Sequence, residues 1–140
     1  MKIVLDSSVF VAAFREEELF SREAFSVLQL LERGQLHVVV PVTVIFEVVA
    51  AIRRRTGSGE LARKVGETIL TFPTVSLIDV TTHRLGLMFD LASRSGLAGM
   101  DAIIVGVAQE FDIPLVTLDH EMAERAKNFV TIRTLTEILR

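Results

Sequence analysis

Short runs of apolar residues, separated by longer segments with helical periodicity, set the tightest limit on how this chain folds. A strand with one solvent-exposed face alternates strictly between apolar and polar residues, and these runs do not. Apolar strands that alternate with helices are typical of a parallel sheet covered on both faces. We therefore expect a three-layer α/β/α sandwich around a central parallel sheet of four to five strands. The predicted strands are KIVL (residues 2–5), LHVVVP (36–41), VSLIDV (75–80), IPLVTLD (113–119) and FVTI (129–132).

The segments between the predicted strands have the features of helices. In residues 21–33 apolar side chains recur at helical spacing, and Gly34 supplies a C-terminal stop. The helix after Pro41 holds Glu47 and ends at a run of arginines, and Thr134 is a suitable N-cap for the last helix. Further helices are predicted at residues 7–14, 60–71, 81–95, 100–111, 120–128 and 134–140.

Length and composition narrow the class of protein. The 140 residues suit one domain, so residues 1–140 are expected to form a single unit. The absence of cysteine excludes a disulfide framework, a thiolate zinc site and a cysteine nucleophile. The N-terminus lacks the long apolar region of a secretory signal, and no apolar stretch reaches the roughly 20 residues that span a bilayer. We expect a soluble cytoplasmic protein.

The charge pattern restricts the ways in which this chain could bind a nucleic acid. A net charge of −3 gives no overall attraction to polyanions, so any nucleic acid would have to bind a local basic patch. Arg53, Arg54 and Arg55 form the densest patch, with Arg63 and Lys64 nearby in the sequence. The alternative is that these cations are simply solvated at a helix C-terminus. Because tryptophan and tyrosine are absent, base stacking would fall to phenylalanine or arginine.

Four acidic residues are predicted to meet at one edge of the sheet. Asp6 directly follows the first strand, and Asp119 closes the fourth. Asp101 opens a buried helix, and Glu47 lies in the second turn of the helix after the second strand. Sites in parallel α/β sheets form beyond the carboxyl ends of the strands. The four carboxylates are therefore candidates for a common site.

Helix capping is the alternative explanation for each aspartate, since aspartate is a favoured N-cap. None of the three has the glutamate or glutamine three residues later that completes a capping box. Glu47 has no lysine or arginine at helical spacing with which to pair. It is either a solvent-facing residue of an amphipathic helix or a ligand.

A cluster of ionised carboxylates is tolerated when a proton or a cation relieves the repulsion. The available ligands are oxygens, because there is no cysteine and the histidines at positions 37, 83 and 120 are scattered. Oxygen ligands suit Mg²⁺ or Mn²⁺ rather than zinc or copper. Hard cations of this kind commonly serve phosphodiester hydrolysis, which points to a nuclease or phosphohydrolase.

Three segments together resemble the PIN-domain family, and among its branches the VapC-type ribonuclease toxins. They are IVLDSSVFVAAF, VPVTVIFEVVAAIRR and GLAGMDAIIVGVAQEFDIPLVTLDHEM, in this order and with matching spacing. The resemblance implies a PIN-like fold in which Mg²⁺ or Mn²⁺ binds an acidic quartet. It also implies that Ser8 and Thr117 supply hydroxyl groups beside that quartet. The quartet residues are Asp6, Glu47, Asp101 and Asp119.

The resemblance further implies an endoribonuclease with a metal-activated water as nucleophile. Toxins of this type are usually dimers silenced by a cognate antitoxin that covers apolar helices. A cluster of phenylalanines in the first helices is a candidate for the dimer contact or the antitoxin groove. Met122 departs from the aromatic residue or leucine that the family often has there. The phenylalanines are Phe10, Phe14, Phe20 and Phe25.

Two other functions remain open at the level of sequence. A catalytically silent PIN-like module could bind RNA or protein, although it has little reason to keep repelling carboxylates together. A haloacid-dehalogenase-like phosphatase could use Asp6 as nucleophile. That family expects a second aspartate two residues later, where this chain has Ser8.

Overall fold

A four-stranded parallel sheet lies at the centre of the computed structural model, which describes residues 1–140. The strand order is β3–β2–β1–β4. Ile3, Val4 and Leu5 of β1 are all fully buried, and successive strand residues point to opposite faces. Both faces of the middle of the sheet are therefore covered, as the apolar runs predict. The strands are β1 (Lys2–Leu5), β2 (His37–Pro41), β3 (Val75–Ile78) and β4 (Leu115–Val116).

Eight α-helices surround the sheet, at the positions that the periodicity predicts to within a few residues. A single 3₁₀ turn at Thr82–Arg84 leads into the fifth helix. Thr134 caps the last helix as predicted, and Glu137 completes a capping box with it. The helices are α1 (Ser7–Phe14), α2 (Ser21–Glu32), α3 (Val42–Thr56), α4 (Gly59–Thr71), α5 (Leu85–Ser95), α6 (Gly99–Phe111), α7 (His120–Ala126) and α8 (Leu135–Leu139).

The sheet has four strands, the lower of the two numbers that the sequence predicts. The predicted fifth strand, residues 129–132, contributes only one parallel bridge, between Ile132 and Leu115. Because β4 is two residues long, it offers a fifth strand almost no length to pair with. At the opposite edge, Ser76 and Leu77 of β3 are exposed, so the covering of the sheet is incomplete there. The sheet therefore has four strands.

One hydrophobic cluster of 37 buried residues connects the sheet with the helices. Gly66 lets α4 pack closely on α3, since a Cβ at this position would lie 2.7 Å from Cγ2 of Val49. Phe10 lies in the core and is fully buried. No single helix is long and apolar enough to cross a membrane; only residues 82–95 and 99–111 taken together meet that length and composition, and they are bent by 117°.

The register of β1 and β4 brings two chain segments together at the carboxyl edge. Val4 pairs with Leu115 and Leu5 pairs with Val116, so the chain leaves both strands at the same level. The backbone N–H of Asp6 then donates to the carbonyl of Val116 at 3.0 Å. This register places Asp6 beside the segment that runs from Thr117 to Asp119.

Candidate active site

A cavity of about 520 Å³ contains all four predicted acids. Asp6 follows β1, and Asp119 stands at the start of α7 after β4. Asp101 lies in the first turn of α6, and Glu47 lies in the second turn of α3. Four separate segments of the chain therefore bring their carboxylates to one place.

Asp6 is held by the two hydroxyl groups that the family resemblance singles out. It is 5% exposed, and its Oδ2 accepts hydrogen bonds from Oγ of Ser8 and Oγ1 of Thr117, both at 2.8 Å. The two hydroxyls in turn accept backbone N–H groups, Ser8 from Leu118 at 3.0 Å and Thr117 from Asp119 at 3.1 Å. This network fixes the orientation of the Asp6 carboxylate through one of its two oxygens.

Capping explains only one of the three aspartates. Asp6 occupies the N-cap of α1, yet its side chain makes no capping hydrogen bond. The N-cap of α6 is Ala98, so Asp101 does not cap that helix. Asp119 does cap α7, because its Oδ1 accepts the backbone N–H of Met122 at 3.1 Å. Asp6 and Asp101 therefore need an explanation other than helix capping.

Glu47 and Asp101 are destabilised as anions in this cavity. Oε1 of Glu47 is buried and has no hydrogen-bond partner. Burial, followed by the negative charges of Asp6 and Asp101, raises the pKa of Glu47 to about 7. The pKa of Asp101 is also raised, by burial first and then by Asp6, Asp119 and Glu121. The acids repel one another, which is the condition that a bound cation relieves.

The arrangement of the acids is open rather than a closed cage. As the side chains stand, no three of the acidic or histidine residues are placed so that they could hold a metal ion together. Mg²⁺ commonly keeps several water ligands and binds proteins through one or two carboxylates. Glu47 Oε1 and the hydroxyl of Thr43, one helical turn away, are buried, unpartnered oxygens on residues that line the cavity. The donor chemistry therefore fits a hard, hydrated cation.

The three consecutive arginines of α3 have different surroundings. Arg54 lines the cavity and has no ion-pair partner, so its charge is available. Arg55 also lines the cavity, but its Nη1 lies 2.9 Å from Oε1 of Glu18. Arg53 is exposed and does not line the cavity. Of the three predicted arginines, only Arg54 and Arg55 lie at this cavity, and the charge of Arg55 is partly neutralised by Glu18.

Two large, exposed apolar side chains of the cavity are absent from the sequence-based candidates. Phe46 on α3 is 73% exposed, and Met100 on α6 is 43% exposed. Each directly precedes one of the acids, Glu47 or Asp101. Their position directly before a candidate ligand on a helix could have indicated both residues. The sequence does not show, however, that their side chains are exposed. The three histidines are exposed and lie outside the cavity.

A second cavity, of about 790 Å³, lies where α1 leads into α2. Phe14, Phe20 and Phe25 line it, and Phe20 and Phe25 are about half exposed. Phe10 belongs to the core instead. Of the four phenylalanines predicted for a partner surface, three therefore line a groove that is separate from the acidic cavity. Half of its lining residues are apolar, and the rest are polar or charged: Glu16, Glu18, Ser21, Arg22 and Glu23. We call this cavity the phenylalanine groove.

The PIN domain family model matches residues 3–128 of the chain. The chain belongs to the PIN domain family. This membership sets aside the haloacid-dehalogenase-like alternative. No curated protein sequence matches the chain significantly.

Solved structures with the same fold include toxins of VapBC systems. VapC20 of Mycobacterium tuberculosis, described as a sarcin–ricin loop cleaving toxin, has a TM-score of 0.74 and 20% identity, covering 94% of this chain and 98% of its own. VapBC2 of Rickettsia felis, bound to a promoter DNA fragment, has a TM-score of 0.72 and 16% identity, covering 96% and 98%. DNA-bound VapBC of Salmonella typhimurium has a TM-score of 0.70 and 16% identity, covering 96% of this chain and 98% of its own. This PIN domain shares their fold.

Proposed function

We propose that this PIN domain is a metal-dependent endoribonuclease that hydrolyses RNA phosphodiester bonds, and that it is the toxin of a VapBC-type toxin–antitoxin pair. The observation that carries the proposal is the convergence of four carboxylates from four chain segments in one open cavity. The fold similarity to VapC20, a toxin that cleaves the sarcin–ricin loop, supports the class of substrate.

The four acids would share the work of holding Mg²⁺ or Mn²⁺. When bound, such an ion neutralises charge on the phosphate and lowers the pKa of a water ligand, which supplies the nucleophile. Asp6 is the most rigid donor, because Ser8 and Thr117 fix it. Glu47 has a pKa of about 7 in the metal-free cavity, so near neutral pH a bound cation would have to displace a proton from part of this carboxyl population.

Arg54 is proposed to bind the RNA backbone. It lies on α3 two helical turns beyond Glu47, where Ala50 and Ala51 leave the cavity floor free of large side chains. Its guanidinium is suited to a phosphate oxygen. The substrate strand would then pass from Arg54 towards the carboxylates, with the scissile phosphate at the acids.

The phenylalanine groove is proposed to bind the antitoxin. The VapBC structures that share this fold are toxin–antitoxin complexes, which supports a protein partner. An apolar face of an antitoxin helix suits a groove lined by exposed aromatic side chains. The groove is separate from the acids, so this binding surface requires no burial of their charges.

Cleavage of a mixed tRNA and rRNA pool by the purified protein tests the proposed activity. Cutting is expected with Mg²⁺ or Mn²⁺ and should stop in EDTA. Asp101→Asn should abolish cleavage. This substitution removes the negative charge without breaking a hydrogen bond, because the Asp101 side chain makes none. Asp79→Asn, an exposed carboxylate outside the cavity, is the matched control and should leave cleavage unchanged.

Three results would count against the nuclease. Cutting that persists in EDTA contradicts the metal requirement, and cutting that persists in Asp101→Asn indicates a contaminating nuclease. Binding of RNA without any cutting, in protein free of antitoxin, would favour the catalytically silent module. Calorimetric titration with Mn²⁺ then distinguishes a metal site from four ordinary surface acids.

A further inference from the structure

Phe46 has no structural reason to be aromatic. Its side chain is 73% exposed, more than any other phenylalanine of the chain. It is not part of the hydrophobic core or among the residues packed against it. An exposed ring of this size in the wall of an acid-lined cavity indicates a contact with something that enters the cavity.

The position of Phe46 relates it to both polar ends of the cavity. Glu47, Ala50 and Arg54 share one face of α3, because they recur at helical spacing. Phe46 borders this face, directly before Glu47 and eight residues, or about 12 Å, before Arg54. A ligand that contacts Phe46 in this cavity therefore also approaches the carboxylates and the guanidinium.

A nucleotide suits the exposed ring of Phe46, the guanidinium of Arg54 and the carboxylates at the same time. Its base has an aromatic face for Phe46, and its phosphates suit Arg54 and a cation held by the acids. A protein segment placed on Phe46 would instead have to bury carboxylates that already repel one another, which is costly. The chain offers a protein partner a separate aromatic surface, the phenylalanine groove.

We infer that Phe46 is the base-stacking residue of this site, on which a base next to the scissile phosphate packs while Arg54 binds the backbone. Met100 lies in the same cavity on α6 and supplies a further apolar contact for the base. This inference rests on the proposed ribonuclease function and adds to it the contact that positions the RNA strand. The chain has no tryptophan or tyrosine, so phenylalanine is the aromatic residue available for stacking.

Binding of two matched probes tests the inference. One probe is a short single-stranded RNA of mixed sequence, and the other is an abasic ribose–phosphate oligomer of the same length and charge. Both are titrated in the Asp101→Asn background, so that the RNA is not cut. Phe46→Ala should raise the Kd for RNA about 5- to 100-fold and leave the Kd for the abasic oligomer unchanged. Phe89→Ala, which removes a ring that is 66% exposed and lies outside the cavity, should change neither.

Fluorescence gives an independent readout. Because the protein lacks tryptophan and tyrosine, the Phe46→Trp variant carries a single strong fluorophore in the cavity. RNA should quench it, whereas the abasic oligomer should not, and the Phe89→Trp variant should respond to neither probe. Phe46→Trp should also bind RNA more tightly than Phe46→Ala does, since the indole ring restores stacking.

The possible failures are distinguishable. If the parent protein neither binds nor cuts RNA, the proposed function fails and the inference fails with it. If RNA is cut but Phe46→Ala behaves as the parent, only the inference is overturned. An equal loss for RNA and the abasic oligomer would mean that Phe46 acts without stacking. A change of Phe46→Ala in protein partner binding or molecular mass, with RNA binding intact, would identify a protein contact instead.

Discussion

At the scale of single residues, the hydroxyl groups of Ser8 and Thr117 are the most distinctive feature of the site. Each has one hydroxyl proton, which it directs to the same oxygen of Asp6, and each accepts a backbone N–H from the segment after β4. Asp6 is thereby connected across 111 positions of the sequence to the loop that carries Asp119. The two hydroxyls couple two of the proposed metal ligands.

Thr117→Val is expected to impair this coupling while preserving side-chain shape. The valine cannot donate to Asp6 or accept from the Asp119 N–H, so we expect a loss of about 1 to 3 kcal/mol in unfolding free energy and a lower kcat/KM for RNA cleavage. Urea denaturation and cleavage assays measure the two effects. Thr117→Ser keeps the hydroxyl and is the matched control. If the serine variant lost as much unfolding free energy and activity as the valine variant, packing rather than the hydrogen bonds would be the cause.

Glu47 predicts a pH-dependent stability in the metal-free protein. Its pKa is about 7 when folded and close to the ordinary value of 4.5 when unfolded. Between these values the folded state binds a proton that the unfolded state releases, so this residue's contribution to the unfolding free energy falls as pH rises. Above pH 7 the full cost of ionisation is present.

Glu47→Gln should therefore stabilise the protein more at pH 8 than at pH 5. The difference is expected to be about 1 to 3 kcal/mol, after allowance for the partial exposure of the side chain. Urea denaturation in EDTA at both pH values measures it, and Glu60→Gln, an exposed glutamate of α4, serves as the control. A stability gain that is the same at both pH values would show that ionisation of Glu47 is not its cause.

At the scale of secondary structure elements, α3 carries most of the information about function. Its inner face is apolar and buried, while the face towards the cavity bears a glutamate, two alanines and arginines. Its periodicity and its glycine stop at Gly57 are visible in the sequence, and so is the isolation of Glu47. The partner of Arg55 is not, because Glu18 lies 37 positions earlier and comes near only through the packing of α1 and α3.

The positions of Arg53 and Arg54 relative to the cavity predict different roles for these neighbouring arginines. Arg54→Ala should weaken RNA binding and reduce the slope of log K against log salt by about 0.7 to 1, because one phosphate contact is lost. Arg53→Ala removes the same charge from the same helix end but outside the cavity, so the slope should stay unchanged. Titration of RNA at several salt concentrations tests this. Equal effects of the two substitutions would mean that the helix end acts only through its total charge.

Other elements show why local patterns predict some features and not others. The strands β1 and β2 and the edge where Asp6 lies follow from apolar runs, because buried strands leave a strong local signal. The segment 129–132 is also mostly apolar but forms a single bridge, because its neighbour β4 is only two residues long. Exposure of Phe46 is likewise a tertiary property, and its sequence neighbours are apolar.

At the scale of the whole molecule, the distribution of apolar surface suggests more than one protein contact. Half of the chain is hydrophobic, and twelve large apolar side chains are exposed. Some line the phenylalanine groove, and others lie elsewhere, such as Leu77 on the edge strand β3 and Phe89 on α5. If the groove belongs to the antitoxin, a homodimer must use a different surface.

Phe25→Asp separates these two contacts. The side chain lies in the groove, is about half exposed and belongs to the middle of α2, so a charge there should leave the fold intact while opposing an apolar partner helix. We expect the isolated variant to retain the mass of a dimer, twice 15.5 kDa, in sedimentation equilibrium, and to lose binding of the antitoxin. A monomeric variant would assign the groove to the dimer contact instead. A monomeric parent protein would contradict the homodimer itself, and antitoxin binding that survives the substitution would remove the groove from that interface.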